Sequence, residues 1–456
     1  PTSSSPTSPY PPYADIADTD TIDASNCIVL PGGIDAHTHF ELPQMDTISS
    51  DSFETGSAAA LFGGTTTIID FASGPPGTRD TSLVDIARAA LARANGRSYC
   101  DYGFHLIINQ VPPMAKLMPM LRTIIEEYGI TSFKTFLAYD NLLISQDELL
   151  RLIEACKQYE HYGALVTIHA EDGASIKALI AQHQQNINSN TQIKYHPLCH
   201  PPKSESDATK LALQLASTVS APIYFVHVSC QEALEALSAI KKCGVSGVSG
   251  VKCWVESCPQ YLFLDESLYN LPPAEAAKYV MCPPLRGTKD IEYLWRALLN
   301  GEIDVIASDH CPFMLHQKLK ETNFSKIPSG APGVENRVPL LFSAGVMQRG
   351  MSLNSFAKVI ATNPAKIFNL YPQKGVIREG SDADLIIIDP RPTQTISHTS
   401  HHMHVDYSAY EGMQVRGNIL YTILRGKIAV DKTTLKINCG TGKFLPRNLK
   451  IGKNVL

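Results

Sequence analysis

Eight short runs of β-branched and apolar residues recur along this chain, each separated from the next by a stretch with helical spacing. The runs are Ile34–His39, Thr65–Phe71, Tyr102–Ile108, Thr131–Leu137, Ala164–His169, Pro222–His227, Lys252–Ser257 and Ile303–Ser308. Helix-like segments lie at about 51–62, 80–95, 114–128, 145–161, 173–184, 204–219, 230–242 and 287–300. Ser145-Gln-Asp-Glu148 has the form of a capping box ahead of one of them. Strands that alternate with helices form parallel βα units, and near-continuous apolar runs are what parallel strands show when both faces are buried. Eight such units predict an α/β fold, a closed (β/α)8 TIM-type barrel over residues 31–368.

Outside that region the pattern changes. Asp384–Asp389 and Ile419–Leu424 read as strands with no long helix between them, so 369–456 is expected to supply a β-sandwich piece and a C-terminal extension. Residues 1–30 would be an N-terminal tail and a piece of that smaller β domain, built from the chain ends. The first 20 residues are rich in Pro, Ser and Thr, a composition that buries little apolar surface.

Composition narrows the classes of function. Lys+Arg 39 against Asp+Glu 44 gives a net charge of −5, and no basic stripe speaks for nucleic acid. No apolar run reaches the roughly 18 residues that span a bilayer. The 11 cysteines are scattered, without a disulfide framework or a secretory leader, which points to reduced thiols and a cytoplasmic protein. Cys253 and Cys258 lie near Cys243 in a spacing that suggests a zinc knuckle, although the segment reads better as a buried strand.

In a barrel of this type the chemistry lies at the C-terminal ends of the strands. The first strand ends in His37-Thr-His39, whose two imidazoles leave the same face because they sit two residues apart. The fourth carries Lys134 and is followed by Tyr139; the fifth ends at His169, the sixth at His227 and the eighth at Asp309. Each alone is ordinary. Together they bring four imidazoles and a carboxylate to one rim, a donor set that suits Zn²⁺. An inward lysine on an apolar strand is costly and cannot ligate as an ammonium. Carboxylation of its amine would give two oxygens able to bridge two metals, whereas an ordinary paired lysine is the simpler reading of the residue alone.

Pro31–His39, Gly63-Gly-Thr-Thr66, Ser132–Tyr139, Ile168-His-Ala-Glu171, Val226-His-Val-Ser229, Pro283-Pro-Leu-Arg286, Ser308–Phe313 and Gly375–Asp384 together resemble the dihydropyrimidinase/hydantoinase branch of the amidohydrolase superfamily. The resemblance runs from about Ile28 to Gly426. It implies two Zn²⁺ per chain, one held by His37, His39 and Asp309 and the other by His169 and His227, bridged by N6-carboxylated Lys134. It further implies a metal-bridging hydroxide as nucleophile, Tyr139 as donor to the developing oxyanion, and Asp309 as the catalytic proton shuttle. Backbone groups at Cys282 and Asn336 would hold the ring. The activity implied is ring opening of 5,6-dihydropyrimidines, dihydrouracil to N-carbamoyl-β-alanine, with dihydrothymine and hydantoins as related substrates. The partners implied are a small-molecule cyclic amide and the other chains of a homotetramer, with neither nucleic acid nor membrane.

Two positions depart from the family pattern: Cys282 replaces the usual Ser before Pro-Pro-Leu-Arg, and Asp46 replaces a common Gly. The stretch before His37 is also short. Dihydroorotases resemble His-x-His-x-Arg after the first strand, where this chain has Glu41, and a carboxylate there would repel an acidic substrate. Allantoinase fits the Ser132–Tyr139 block less well. Non-catalytic scaffold relatives lack the ligands that are all present here. The cluster His398, His401, His402 and His404 suggests a second metal site but falls in a segment outside the expected centre. Cys311 beside His310 is expected to be packing.

Overall fold

The computed structural model describes residues 21–448 except 76–77, 80, 186–192, 244–250 and 322. The Pro/Ser/Thr-rich first 20 residues lie outside the described residues.

All eight expected strands form, within two residues of their predicted ends. They are Gly33–Thr38, Thr65–Ala72, Asp101–Ile107, Ser132–Phe136, Leu165–His169, Ile223–Phe225, Cys253–Ser257 and Val305–Ile306, paired in parallel in chain order. All eight strands are buried at every position but at most one, as a barrel wall faced by helices requires. The first and eighth strands do not share a ladder. They are joined by a bridge between Thr38 and His310, with His39 N–H donating to His310 O at 2.8 Å and Ser308 N–H to Asp35 Oδ1 at 3.0 Å. The seam that closes the barrel is therefore the place where His37, His39 and Asp309 meet.

Helices follow the predicted segments closely. Ser145 caps Gln146–Gln158 through a reciprocal bond with Glu148, as its sequence implies. After the eighth strand no helix was expected, yet Leu315–Lys318, Arg337–Leu341, Leu353–Ala357 and Asn363–Ile367 are helical. Arg337–Leu341 runs on into a π-helical turn at Phe342–Gln348, and Leu353–Ala357 runs through π-helical Lys358–Thr362 into Asn363–Ile367, so the wider winding spoils a 3.6-residue period.

The chain ends come together in an antiparallel sheet. Ile28–Pro31 pairs with Leu385–Thr395, which pairs with Gln414–Leu424, then Lys427–Asp431 and Thr434–Leu435. A barrel with a smaller β unit from the chain ends is the expected architecture. The sheet rests on the barrel beside Gly64, where Thr422 Oγ1 donates to Leu61 O at 2.8 Å. Gly64 has φ +77°, and a Cβ there would come within 2.9 Å of Ile419. The Gly-Gly motif is thus a packing requirement of this junction.

Candidate active site

Residues His37, His39, Lys134, Tyr139, His169, His227, Cys282 and Asp309 all line one cavity of about 410 Å³ at the strand C-terminal rim. Asn336 is not among the lining residues, and its side-chain oxygen is buried without a hydrogen-bond partner among the described residues.

Two carboxylates that sequence reasoning gave no role fix the histidines. Glu256 Oε1 lies 2.6 Å from His37 Nδ1, and Glu171 Oε2 lies 2.8 Å from His169 Nε2. A neutral imidazole facing a carboxylate places its proton on that side, so His37 presents the Nε2 lone pair and His169 the Nδ1 lone pair to the cavity. His37 Nε2 and His39 Nε2 both lie near one oxygen of Asp309, at 3.0 and 3.1 Å. His169 Nδ1 lies 2.9 Å from His227 Nε2. Lone pairs gathered against each other and against a carboxylate repel unless a cation or a proton sits among them. Burial alone would lower the pKa of His37, but Asp309 and Glu256 outweigh it and push the group up to about 9. The first donor set thus favours added positive charge. Among the described residues, His37, His39 and Asp309 are the only group whose ligand atoms converge within 4.8 Å as a metal site requires.

Lys134 is fully buried, with Nζ 5.0 Å from the centroids of both Phe71 and Phe136. No carboxylate among the described residues pairs with it, and burial brings its pKa down to about 8. It is not the ordinary salt-bridged lysine.

Tyr139, His227 and Asp309 have φ of +72°, +39° and +51°. The left-handed region costs a non-glycine residue roughly 1–2 kcal/mol, and such residues cluster at functional sites. Tyr139 OH donates to Glu171 Oε2 at 3.1 Å, and burial raises its phenol well above 10. Glu171 also receives His200 Nδ1 at 3.0 Å, and the carbonyl of His200 is held by Arg286. Arg286, from the Pro-Pro-Leu-Arg motif, pairs with Glu205 at 3.0 Å and bonds Ser229 Oγ at 3.0 Å. That motif arginine therefore supports the site from behind. The signal for Glu171 was its place two residues after His169; Glu256 offered none beyond lying inside the seventh strand.

Several expectations need correction. Glu41 does not line the cavity: with φ +51° it turns to Arg97, so its charge does not meet a substrate. Asp46 and Met45 form the two-residue turn of a hairpin between Pro43–Gln44 and Thr47–Ile48, with φ +57° and +46°. That is the left-handed pair a tight hairpin needs, and it explains why glycine is common there. The histidine cluster does not converge: His398 pairs with Glu411, His402 with Glu335 while stacking on Phe62, and His404 with Ser50 O. Cys253 and Cys258 are buried on and just after the seventh strand, and Cys311 is buried as expected of a packing residue.

The amidohydrolase family model matches residues 28–429. This chain belongs to the amidohydrolase family. Members of the family are metal-dependent, in keeping with the His-His-Asp group of this amidohydrolase. It is 40% identical over 436 residues to a D-hydantoinase of Geobacillus stearothermophilus, covering 95% of this chain and 89% of the relative. It is 39% identical to a D-phenylhydantoinase of Escherichia coli O1:K1 / APEC, covering 93% and 89%. The crystal structure of dihydropyrimidinase from Brevibacillus agri NCHU1002 superposes with a TM-score of 0.90 at 38% identity, covering 96% and 92%. An L-hydantoinase (dihydropyrimidinase) from Arthrobacter aurescens is more distant, with a TM-score of 0.81 at 28% identity, covering 95% and 92%. Among the described residues no helix is long and apolar enough to cross a membrane.

Proposed function

We propose that this amidohydrolase opens the ring of cyclic diamides, hydantoins and 5,6-dihydropyrimidines, by hydrolysis of one ring amide. The observation that carries this reading is the convergence of four histidines, Asp309, buried Lys134 and Tyr139 on one cavity in a chain so similar to hydantoinases. The donor set fits two zinc ions. His37, His39 and Asp309 would hold one, and His169 Nδ1 and His227 Nε2 the other, with Lys134 as an N6-carboxylated bridge. The apolar, unpaired setting of Lys134 supports that modification, because an amine without a counter-ion reacts with carbon dioxide more readily than a salt-bridged one. When bound, the metals supply Lewis acidity and lower the pKa of water from 15.7 toward about 7.

The chain's own residues do the rest. Asp309, aimed at the centre of the site, takes a proton from the attacking water and returns it to the ring nitrogen, which leaves poorly as an anion. Tyr139 turns its hydroxyl from Glu171 toward the carbonyl oxygen as charge develops there, an interaction worth about 10²–10³ in rate. Backbone groups near Cys282 hold the ring. Among the described residues Lys134 is the only lysine or arginine lining the cavity, so a substrate with a free carboxylate, such as dihydroorotate, lacks a partner there. We further propose a cytoplasmic homotetramer, to be checked by light scattering.

The test is zinc per chain together with hydrolysis of hydantoin, dihydrouracil, dihydroorotate and allantoin by one preparation. Two zincs with hydantoin or dihydrouracil preferred is the expected result. Preference for dihydroorotate or allantoin, or a folded chain that takes up no metal in zinc and bicarbonate, would overturn it.

A further inference from the structure

The first strand is irregular where it delivers His37 and His39. Against the second strand, Asp35 lies opposite Ile68 and Thr38 opposite Asp70, so the first strand carries one residue more over that span. A bulge of this kind re-aims the side chains it carries. Ala36 and His37, which have no partner in that register, are both buried. The carbonyl of Ala36 accepts Nε2 of His105, a residue of the third strand, at 3.0 Å. The His105 ring also stacks on Phe71 with centroids 4.6 Å apart, and Phe71 stacks in turn on His39 at 4.9 Å. His105 therefore supports both histidines of the first strand, although it does not line the cavity.

Which nitrogen of His105 carries the proton is set from the far side of the barrel. A carbonyl only accepts, so Nε2 holds the hydrogen. Burial, and next the charge of Arg447, keep the ring's pKa well below 6.5, which leaves Nδ1 as a bare lone pair. Ser132 Oγ, 2.6 Å away, donates its single proton to that lone pair. The same oxygen accepts Arg447 Nη2 at 2.8 Å. A guanidinium has no lone pair to offer, so every hydrogen bond from Arg447 to Ala36 points one way. Aligned bonds of this kind strengthen one another.

Arg447 comes from a segment that crosses the N-terminal end of the barrel, opposite the cavity. Tyr102 N–H donates to Lys443 O at 2.9 Å, Leu445 N–H to Tyr102 O at 2.8 Å and Arg447 N–H to Gly129 O at 2.8 Å. The Arg447 side chain is fully buried, and its Nε and Nη1 have no hydrogen-bond partner among the described residues. No carboxylate among them pairs with it. A cation buried with so little compensation costs stability that a methionine in its place would not. That cost points to a role other than holding the fold.

We propose that Arg447 is a positioning residue for the metal centre: from the barrel floor, through Ser132, it fixes the His105 tautomer that holds the Ala36 bulge and with it the aim of His37. The inference rests on the metal-dependent reading above and not on which cyclic amide is opened.

Cobalt(II) is the probe, because its visible bands report the geometry of its ligands. Wild type, Ser132→Ala, Arg447→Met, Arg447→Lys and Leu445→Ala are each loaded with cobalt in bicarbonate. A wild type that takes up no cobalt overturns the metal reading and this inference together. A wild type that binds cobalt but is silent on hydantoin and dihydrouracil overturns only the cyclic-diamide reading, and the bands still decide the relay. Ser132→Ala and Arg447→Met are expected to shift the bands alike and to lower kcat about tenfold with KM within about twofold, the lower end of what outer supports of a metal site contribute. Arg447→Lys keeps a donor and should restore both readouts. Leu445 is buried in the same segment and takes no part in the relay, so Leu445→Ala should lower Tm and leave the bands unchanged. A folded Ser132→Ala enzyme with wild-type bands and kcat overturns the proposal, whether or not Arg447→Met folds. A band shift in Leu445→Ala equal to that in Arg447→Met overturns it equally, because packing of the segment would then be the cause.

Discussion

Glu256 Oε1 lies 2.6 Å from His37 Nδ1 and also accepts the backbone N–H of His227 at 3.0 Å. One buried carboxylate on the seventh strand thus orients a side chain from the first strand and the backbone of a residue after the sixth. Its second oxygen accepts Tyr224 OH at 2.7 Å, so the group is fully committed. It sits outside the set of donors that face the cavity and decides which nitrogen of His37 does face it.

Glu256→Gln is expected to keep the fold and lower metal affinity and activity about 10–100-fold, because the amide no longer fixes the proton on Nδ1. Zinc titration with circular dichroism checks it. Unaltered zinc affinity would show that His37 is oriented by packing alone.

Lys134→Ala is expected to lose both zincs and essentially all turnover, since no other lining side chain replaces a bridging oxygen pair. Metal analysis of the purified variant decides this. Full metal content with wild-type rate would end the bridge assignment.

Asp309→Asn leaves a side chain of the same size between His37 and His39 but removes its basicity. The fold should survive, and turnover should drop by about 10²–10⁴. Substantial hydrolysis by this variant would remove the proton-shuttle role.

Asp70, two residues before the end of the second barrel strand, brackets His39 by accepting Thr38 Oγ1 at 2.8 Å and Phe40 N–H at 2.9 Å. Burial raises its pKa from 3.8 to about 7. The folded state therefore holds a proton that the unfolded state has lost between those values. The stability from this group is fully present below pH 3.8 and is lost as pH rises to about 7. Asp70→Asn does not titrate and can still accept both bonds. Its stability relative to wild type should improve between about pH 5 and about pH 8, by on the order of 1–3 kcal/mol. Thermal unfolding of both proteins at the two pH values is the measurement; a constant difference would mean that Asp70 is ionised throughout.

The alternation of apolar runs with helical stretches was enough to give the barrel, because parallel strands buried on both faces leave a local signature. The rule that chemistry sits at strand ends then selected His37, His39, Lys134, Tyr139, His169, His227 and Asp309, since each is placed by its own strand. The capping of helix 146–158 by Ser145 was likewise written locally. What the tertiary structure decided are the relations across strands. Glu256 reaches His37 over a separation of 219 residues, and Glu171 divides itself among His169, His200 and Tyr139. Glu41 seemed to face the substrate until a left-handed turn carried it to Arg97. Nothing in the sequence marks Lys318, and only packing buries it against two carbonyls. Spacing determines which face a side chain leaves from, whereas its partner is set by how distant strands and loops close upon one another.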